Sequence, residues 1–236
     1  MRKSLARMQL KKSLTLEQRK ELFRRVKTLR ENDRTNEWRT KRGVPELSNK
    51  LGVNLTTLIS KKLGKKHKPS VLEIGSGDKQ SLLDLNLQFG KEIDLHGLTL
   101  LPKKYPLIAD QKSKFKEHIG LFENYRFNQR FDVIYSYAGI HYTQHPAFVI
   151  QKLCNLLRKG GTAIIQYPET RITPEMVAQL DAQGYVLSKM PSRGELWETT
   201  IFRIDNVKGK KMQFTPSVKQ GALINQFSWH ESTLHS

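Results

Sequence analysis

A short apolar run that ends in a glycine-containing turn restricts the fold of this 236-residue chain more than any other segment. In residues 71–78, with the sequence VLEIGSGD, Glu73 precedes Gly75 and Gly77, and one residue separates the two glycines. Glycine adopts positive φ readily and leaves space for a ligand to approach the main chain. The pattern predicts a parallel strand, a sharp turn and a helix whose free N–H groups face the same crevice as the turn.

Two common nucleotide-binding loops do not fit this turn. A dinucleotide fingerprint requires a third glycine, and a triphosphate loop requires Gly-Lys-Ser/Thr after four spacers. Neither pattern is present at the turn. Two interpretations therefore stay open: a site for another nucleotide-like ligand, and a tight strand–helix turn that binds nothing.

Glu73, Gly75 and Gly77 resemble motif I of the class I S-adenosylmethionine-dependent methyltransferases, whose loop holds the amino-acid end of the cofactor. S-adenosylmethionine carries no phosphate, so a carboxylate near the loop is not repelled and can order the cationic amino group or nearby amides. The family often has another glycine where this chain has Lys79, a difference expected to narrow the loop. The resemblance implies these cofactor-binding residues: Glu73, Gly75, Ser76, Gly77 and Asp78.

Residues 93–100 and 107–110 resemble the second and third strands of that family. Many members end the second strand with an acidic residue that accepts hydrogen bonds from the ribose hydroxyls, and Thr99 takes that place here. A threonine can bond one hydroxyl, less strongly than a charged carboxylate does. Asp110, at the end of the third strand, is in the position that contacts the adenine amine in the family, although an ordinary surface aspartate fits the sequence equally.

The remaining elements follow in the order that the family has. The predicted segments are a fourth strand at residues 131–137, a helix at 146–158, a fifth strand at 162–167 and an antiparallel hairpin at 185–190 and 196–204. Two glycines at 160 and 161 are expected to close the helix. Strands that alternate with helices require right-handed crossovers. We therefore expect a doubly wound, mainly parallel α/β fold like that of the class I methyltransferases, with seven strands and an N-terminal helical extension.

Length and composition divide the chain into three parts. We expect a basic helical extension at residues 1–59, a methyltransferase-like domain at 60–207 and a tail at 208–236. The single cysteine, Cys154, excludes an internal disulfide and lies among apolar residues of a predicted helix. A buried structural thiol is expected there, in preference to a nucleophile.

Positive charge is concentrated in the first part of the chain. The formal net charge is +19, and residues 1–68 hold 21 Lys/Arg against 6 Asp/Glu, a net of +15. A helix is predicted to begin near Thr15, and basic side chains crowd its polar face: Arg19, Lys20, Arg24, Arg25, Lys27 and Arg30. Such a surface attracts phosphate polyanions through counterion release, so we expect RNA or a ribonucleoprotein as the partner. A basic helix that is merely soluble is the alternative.

Two other interpretations of the N-terminal region stay open. Residues 1–16 contain five basic residues and no acidic residue, as an organellar presequence would. Residues 46–63 resemble a helix-turn-helix, with Leu51-Gly52-Val53 as the turn. The apolar spacing of the same segment also fits a helix that packs against the sheet before the first strand, and we favour packing.

The loop after the fourth strand, residues 136–142, is where the substrate atom is expected to meet the methyl group. Methyl transfer from a sulfonium is a direct displacement, so the protein chiefly aligns the reactants and excludes water. We expect Ser136 to contact the cofactor, Tyr137 to stack a base, and His141 to accept a proton near neutral pH. An aromatic ring that packs on the sheet and a histidine bonded to a carbonyl fit the loop as well. No metal-ligand spacing surrounds His141.

Together these features favour a cytoplasmic S-adenosylmethionine-dependent methyltransferase that acts on RNA, with ribosomal RNA as the expected substrate. No apolar run is long enough to span a membrane. One alternative is a methyltransferase-fold protein with weak or lost catalysis that binds RNA or ribosomes, which Lys79 and Thr99 favour. Another is a small-molecule methyltransferase, because Gly97-Leu98-Thr99-Leu100 is similar to a variant in that branch of the family.

Overall fold

The computed structural model describes residues 42–64, 67–77, 79–99, 115–140, 143, 145–190 and 199–215. The strands are β1 (Ser70–Ile74), β2 (Asp94–Thr99), β3 (Lys116–Ile119), β4 (Phe131–Ser136), β5 (Leu157–Pro168), β6 (Tyr185–Met190) and β7 (Thr199–Asn206). The helices are α1 (Val44–Lys50), α2 (Leu55–Ser60), α3 (Gln80–Phe89), α4 (Pro146–Leu156) and α5 (Pro174–Ala182), and two 3₁₀ turns lie at Gly90–Glu92 and Glu169–Arg171. Within these ranges the seven strands form one sheet in the order β3-β2-β1-β4-β5-β7-β6.

The sheet is parallel from β3 to β5 and antiparallel at β7. Strands β1 and β4 pair at its centre, and β7 pairs with both β5 and β6. The strand order reverses between β1 and β4, because β2 and β3 lie on one side and β5 on the other. In an open parallel sheet, ligands bind in the crevice at the carboxyl ends of the strands beside such a reversal. The predicted doubly wound, mainly parallel sheet is confirmed.

Apolar side chains cover both faces of the sheet. Successive residues of a strand point to opposite faces, so Val71 and Leu72 of β1 belong to two different buried clusters. Leu82 of α3 is buried in the cluster that contains Val71, and Leu153 of α4 in the cluster that contains Leu72. Each fully buried side chain of this size contributes roughly 1.5–3 kcal/mol. The two helices are thereby fixed beside β1 and β4.

Helices α1 and α2 pack on the sheet before β1. Leu47, Leu51, Leu55 and Ile59 are buried in the same cluster as α3. Asn54 caps α2, since its side chain accepts a hydrogen bond from the N–H of the third residue. The packing interpretation of residues 46–63 is therefore confirmed, because the apolar side chains of both helices are buried together with those of the sheet and α3.

Residues after β7 also join the core. Met212 and Phe214 are buried in the cluster on the α4 side. The Asn155 side chain donates to the carbonyl oxygen of Met212 at 3.0 Å and accepts from its N–H at 2.7 Å. Together with α1 and α2, these contacts extend the packed core on both sides of residues 60–207.

The third strand differs from the one that the sequence predicted. Strand β3 is Lys116–Ile119, and it pairs parallel with β2 from His96 to Thr99. Residues 107–110 lie outside the described part of the chain. Strand β3 lies at an edge of the sheet, where Lys116 and Glu117 are exposed. No apolar run therefore marks it in the sequence.

The sequence predicted that the two glycines after α4 close that helix, and this prediction is wrong. Helix α4 ends at Leu156, and β5 begins at the next residue. Phe131 of β4 pairs with Leu157, and Val133 pairs with Thr162, so residues 158–161 form a bulge in β5. Gly160 has a φ of 74°, and a β-carbon on Gly161 would lie 3.0 Å from the carbonyl oxygen of Phe131. The glycines are needed for the bulge.

Cys154 is fully buried in α4, as the sequence predicted. Burial raises the pKa of its thiol far above the usual range. A thiol that stays protonated is a poor nucleophile, so Cys154 is a packing residue. No helix in the described ranges is both long and apolar enough to cross a membrane.

Candidate active site

The turn after β1 is held against the neighbouring strand β2. Gly75 and Gly77 have φ angles of 82° and 41°, which residues with a β-carbon rarely adopt. The N–H groups of Gly75 and Ser76 both donate to the carbonyl oxygen of Leu98 in β2, at 2.8 and 3.1 Å. The sharp turn predicted from the two glycines is therefore present, at the carboxyl end of β1.

A glycine from the loop after β4 packs against this turn. A β-carbon on Gly139 would lie 2.4 Å from the carbonyl oxygen of Ile74 and 2.8 Å from the Cα of Gly75. A β-carbon on Gly75 would lie 2.6 Å from the Cα of Gly139. All these neighbours are backbone atoms, so neither position accepts a side chain unless a loop moves. Gly139 is not among the predicted site residues, because the contact joins loops that are distant in sequence.

Glu73 supports the turn from inside the domain. Its side chain is buried, and Oε2 accepts hydrogen bonds from the Ser81 hydroxyl in α3 at 2.5 Å and the Tyr135 hydroxyl in β4 at 3.3 Å. Burial and the nearby carboxylate raise the pKa of Tyr135 well above its usual value, so this hydroxyl remains a donor. Glu73 thus joins β1 to the first turn of α3 and to β4.

Lys79 stands where the family often has glycine, and its backbone is left-handed with a φ of 67°. It is the N-cap residue of α3. Its Nζ lies 2.7 Å from Oε1 of Glu117 in β3. The left-handed backbone explains why glycine suits this position in the family. The ion pair with Glu117 holds the ammonium group of Lys79 beside β3.

The loop after β4 is anchored on both sides of position 141. The N–H of Ala138 donates to Oε1 of Gln166 at 3.0 Å, and Nη1 of Arg171 donates to the carbonyl oxygen of Thr143 at 2.7 Å. Neither Gln166 nor Arg171 is among the predicted site residues. A polar residue inside the apolar run of β5 was the signal that could have found Gln166. His141 lies outside the described residues, so its proposed role stays a prediction.

Tyr137 is half-buried, and two cations at the two ends of α1 face its ring. The guanidinium carbon of Arg42 and the Nζ of Lys50 each lie 5.0 Å from the centre of its ring. A cation at this distance from an aromatic ring is stabilised by the ring quadrupole. Base stacking on Tyr137 stays a prediction, and a base would compete with these two cations for the ring.

The sequence matches a protein-family model over most of its length. The model describes a methyltransferase domain, and the match covers residues 17–217. The chain belongs to this methyltransferase family. Its methyl donor is S-adenosylmethionine. No curated protein is similar enough in sequence to match.

Solved methyltransferases share the fold at low sequence identity. The 1,6-didemethyltoxoflavin-N1-methyltransferase of Burkholderia thailandensis was solved with bound 1,6-didemethyltoxoflavin and S-adenosylhomocysteine. It is 14% identical with a TM-score of 0.52, and the match covers 83% of this chain and 92% of that one. The plantazolicin methyltransferase BpumL is 13% identical with a TM-score of 0.50, over 65% of this chain and 82% of that one. The CurJ carbon methyltransferase is 14% identical with a TM-score of 0.49, over 70% of this methyltransferase and 55% of CurJ.

Groups at the turn of the methyltransferase suit the amino-acid end of S-adenosylmethionine. The Ser76 hydroxyl is buried and has no hydrogen-bond partner among the described residues. Helix α3 begins directly after the turn, and the side chain of its N-cap residue, Lys79, makes no capping hydrogen bond among the described residues. A buried hydroxyl without a partner costs free energy, which a ligand that bonds to it recovers. The bound cofactor supplies a methyl group on a positively charged sulfur, and Ser76 with the glycine turn would hold its polar end.

The other predicted cofactor residues divide into three cases. Thr99 is buried at the carboxyl end of β2, beside the turn, where the resemblance requires it. Ser136 has no exposed surface, and its hydroxyl donates to the carbonyl oxygen of Ile74 at 2.9 Å. Ser136 thus holds β4 to β1, and its contact with the cofactor stays a prediction. Asp78 and Asp110 lie outside the described residues, so their cofactor contacts stay predictions.

Replacing Ser81 by alanine is expected to lower the free energy of unfolding by about 2 kcal/mol. The change removes a hydroxyl donor from the buried Glu73 carboxylate, and the first turn of α3 loses its tie to β1. Urea denaturation measures the effect. Thr56→Ala is the control, because this hydroxyl makes an exposed bond to Gln88 and its loss should cost less than about 0.5 kcal/mol. Equal losses in both variants would contradict the proposed support of the turn.

Proposed function

We propose that this methyltransferase acts on RNA and binds it through its basic N-terminal arm, defined as residues 1–41. The arm holds 14 Lys/Arg against 5 Asp/Glu, a net of +9. Residues 42–236 hold 27 Lys/Arg against 17 Asp/Glu, a net of +10 over a far longer segment. Charge concentrated in this way gives strong, salt-sensitive attraction to a phosphate backbone. Ribosomal RNA is the first substrate to test.

The observation that carries this proposal is the position of the residue that follows the arm. Arg42 lies over the Tyr137 ring, and the N–H of Val44 donates to Oδ2 of Asp84 in α3 at 2.9 Å. Tyr137 directly follows β4, at the carboxyl edge of the sheet. Arg42, the residue that follows the arm, thus lies beside the carboxyl edge of the sheet, so we expect RNA bound by the arm to be close to the crevice that suits the methyl donor.

Glutamine at six basic positions of the arm is expected to weaken RNA binding at least about tenfold and to flatten its salt dependence. The substituted residues are Arg19, Lys20, Arg24, Arg25, Lys27 and Arg30. Fluorescence anisotropy with a structured ribosomal RNA fragment, between about 50 and 200 mM salt, measures both quantities. The control removes the same charge from the exposed surface of the domain by glutamine at Lys61, Lys68, Lys91, Lys208, Lys210 and Lys211.

The two variants separate a docking arm from a general charge effect. The proposal requires that the arm variant loses more affinity than the control variant, with both remaining folded by circular dichroism. Equal losses, or no loss in either variant, would contradict RNA docking by the arm. Incubation of a cell extract with tritiated S-adenosylmethionine then tests the substrate class, because label confined to small molecules or protein would overturn an RNA substrate.

A further inference from the structure

The loop after β4 contains a residue in an unfavourable backbone conformation. Ala138 has a φ of 57°, and among the described residues only Lys79 shares positive φ without being glycine. A β-carbon in this left-handed region crowds the following carbonyl oxygen. Such a conformation persists only when the surrounding structure fixes it, and it marks places where geometry serves function.

Gln166 of β5 fixes this conformation. Its Oε1 accepts the hydrogen bond from the N–H of Ala138 at 3.0 Å, and its Nε2 donates to the hydroxyl of Thr199 in β7 at 2.9 Å. The backbone N–H of Ala138 can only donate, so the amide oxygen must face the loop. Gln166 is only 4% exposed, so water does not replace either bond easily. The amide therefore links the loop to two strands of the sheet.

The conformation of Ala138 decides where Gly139 lies. Gly139 makes the backbone contacts with Ile74 and Gly75 that join the loop after β4 to the cofactor turn. The same turn is bound to β2 through Leu98 and to β4 through the Ser136 hydroxyl. A chain of direct contacts thus runs from Gln166 through Ala138 and Gly139 to Gly75.

We propose that Gln166 is a positioning residue for methyl transfer. It holds the loop after β4, where the substrate atom meets the methyl group, directly against the turn that binds S-adenosylmethionine. The loop and the turn therefore order together, and loss of the Gln166 bond loosens the cofactor site although Gln166 lies behind the loop. The positioning role of Gln166 depends on one acceptor atom, Oε1, and on Ala138, the strained residue whose N–H donates to it.

Gln166→Met removes the acceptor but keeps the length and volume of the side chain. We expect S-adenosylmethionine to bind about tenfold more weakly in calorimetry, since one buried hydrogen bond that supports the turn is lost. Adding Ala138→Gly to the same chain should restore most of the affinity, because glycine adopts a φ of 57° without crowding. A residue that merely fills the core would not be rescued by a change in the loop.

Two controls complete the test. Asn155→Leu also removes a side-chain amide, one that bonds the backbone of Met212 and neither of the two loops. This variant should lose stability but keep the affinity for the cofactor. Ala138→Val leaves Gln166 intact, and a branched side chain at left-handed φ should weaken cofactor binding at least as much as Gln166→Met. This second variant decides the matter if Gln166→Met does not fold.

Each possible result either supports or overturns the positioning role of Gln166. Weaker binding in Gln166→Met, recovery with Ala138→Gly and unchanged affinity in Asn155→Leu support the positioning role. Unchanged affinity in Gln166→Met or in Ala138→Val overturns it. Weaker binding that Ala138→Gly fails to restore also overturns it, because Gln166 would then act through the core and not through the loop. Neither result bears on RNA binding by the arm, so the two proposals fail separately.

Discussion

Gly75→Ala is expected to abolish measurable binding of S-adenosylmethionine, a loss of affinity on the order of a hundredfold or more. The new β-carbon would lie 2.6 Å from the Cα of Gly139, a distance that real β-carbons do not show. Because this neighbour is backbone, it cannot rotate away as a side chain would, and one loop has to move. The φ of 82° adds strain of roughly 1–2 kcal/mol. We expect the free energy of unfolding to fall by about 2–4 kcal/mol in total.

Gly90→Ala separates the effect of the overlap with Gly139 from the effect of backbone strain. Gly90, at the end of α3, also has a positive φ of 53°, but a β-carbon there meets nothing within 4 Å. This variant should lose only the stability that backbone strain costs, about 1–3 kcal/mol, and should bind S-adenosylmethionine as the unchanged protein does. Calorimetry and urea denaturation of both variants give the comparison. Wild-type affinity in Gly75→Ala would show that the two loops separate freely and that their contact does not shape the site.

The turn and the centre of the sheet could be predicted because their signals are local. Two glycines one residue apart, after an apolar run, specify positive φ and a strand end whatever the rest of the chain does. The burial of Cys154 was likewise visible in the apolar spacing of its own helix. Signals of this kind need only the residues within a few positions, which is why the family resemblance pointed to the correct fold.

The contacts that complete the site could not be predicted, since they depend on how distant segments meet. The ion pair of Lys79 requires that Glu117 lies in an edge strand, and that strand was assigned to other residues. The contact of Gly139 with Gly75 requires the register between β1 and β4. Arg42 reaches Tyr137 only because α1 packs where it does. A sequence shows which residues suit such contacts, but the sheet decides which of them form.

Acidification from about pH 7 to about pH 5 is expected to lower the free energy of unfolding by about 2 kcal/mol through a pair of histidines at the edge of the sheet. Nδ1 of His96 in β2 lies 2.8 Å from Nε2 of His118 in β3. His118 Nδ1 lies 2.7 Å from the Tyr125 hydroxyl, and His96 Nε2 lies 2.9 Å from Oδ2 of Asp94. With both imidazoles neutral, one arrangement of protons satisfies all three contacts: Tyr125 donates to His118, His118 to His96, and His96 to Asp94.

The pKa values of both histidines follow from this environment. Burial first, and then the nearby charges of His96 and Lys116, lower the pKa of His118 to about 4. Burial also lowers the pKa of His96, although Asp94 opposes the change. Burial alone would raise the pKa of Asp94, but hydrogen bonds from His96 and Lys116 lower it below its ordinary value, so this carboxylate titrates below the pH range in question.

The sign of the effect follows from the direction of these shifts. A histidine in the unfolded chain takes up a proton as the pH falls through about 6.5, whereas His118 in the folded protein stays neutral until about pH 4. The unfolded state therefore binds more protons within this range, and acid favours it. The stabilisation is complete above about pH 6.5 and is lost progressively as the pH falls towards 4. Protonation of both rings would place two N–H groups against each other between Nδ1 of His96 and Nε2 of His118, so the second proton is bound less readily than the first.

Urea denaturation at about pH 7.5 and about pH 5, in the unchanged protein and in His118→Phe, measures this contribution. Phenylalanine keeps a ring of similar shape beside Phe127 but cannot titrate, so the variant should lose most of the dependence on pH. Phe127→Leu is the control, because it removes the ring that contacts His118 but no titratable group, so the dependence on pH should remain. If His118→Phe showed the same pH dependence as the unchanged protein, the histidine pair would not be its source. A flat response in the unchanged protein would mean that the folded protein takes up a proton at the histidine pair as readily as the unfolded chain does, which would contradict the lowered pKa of His118.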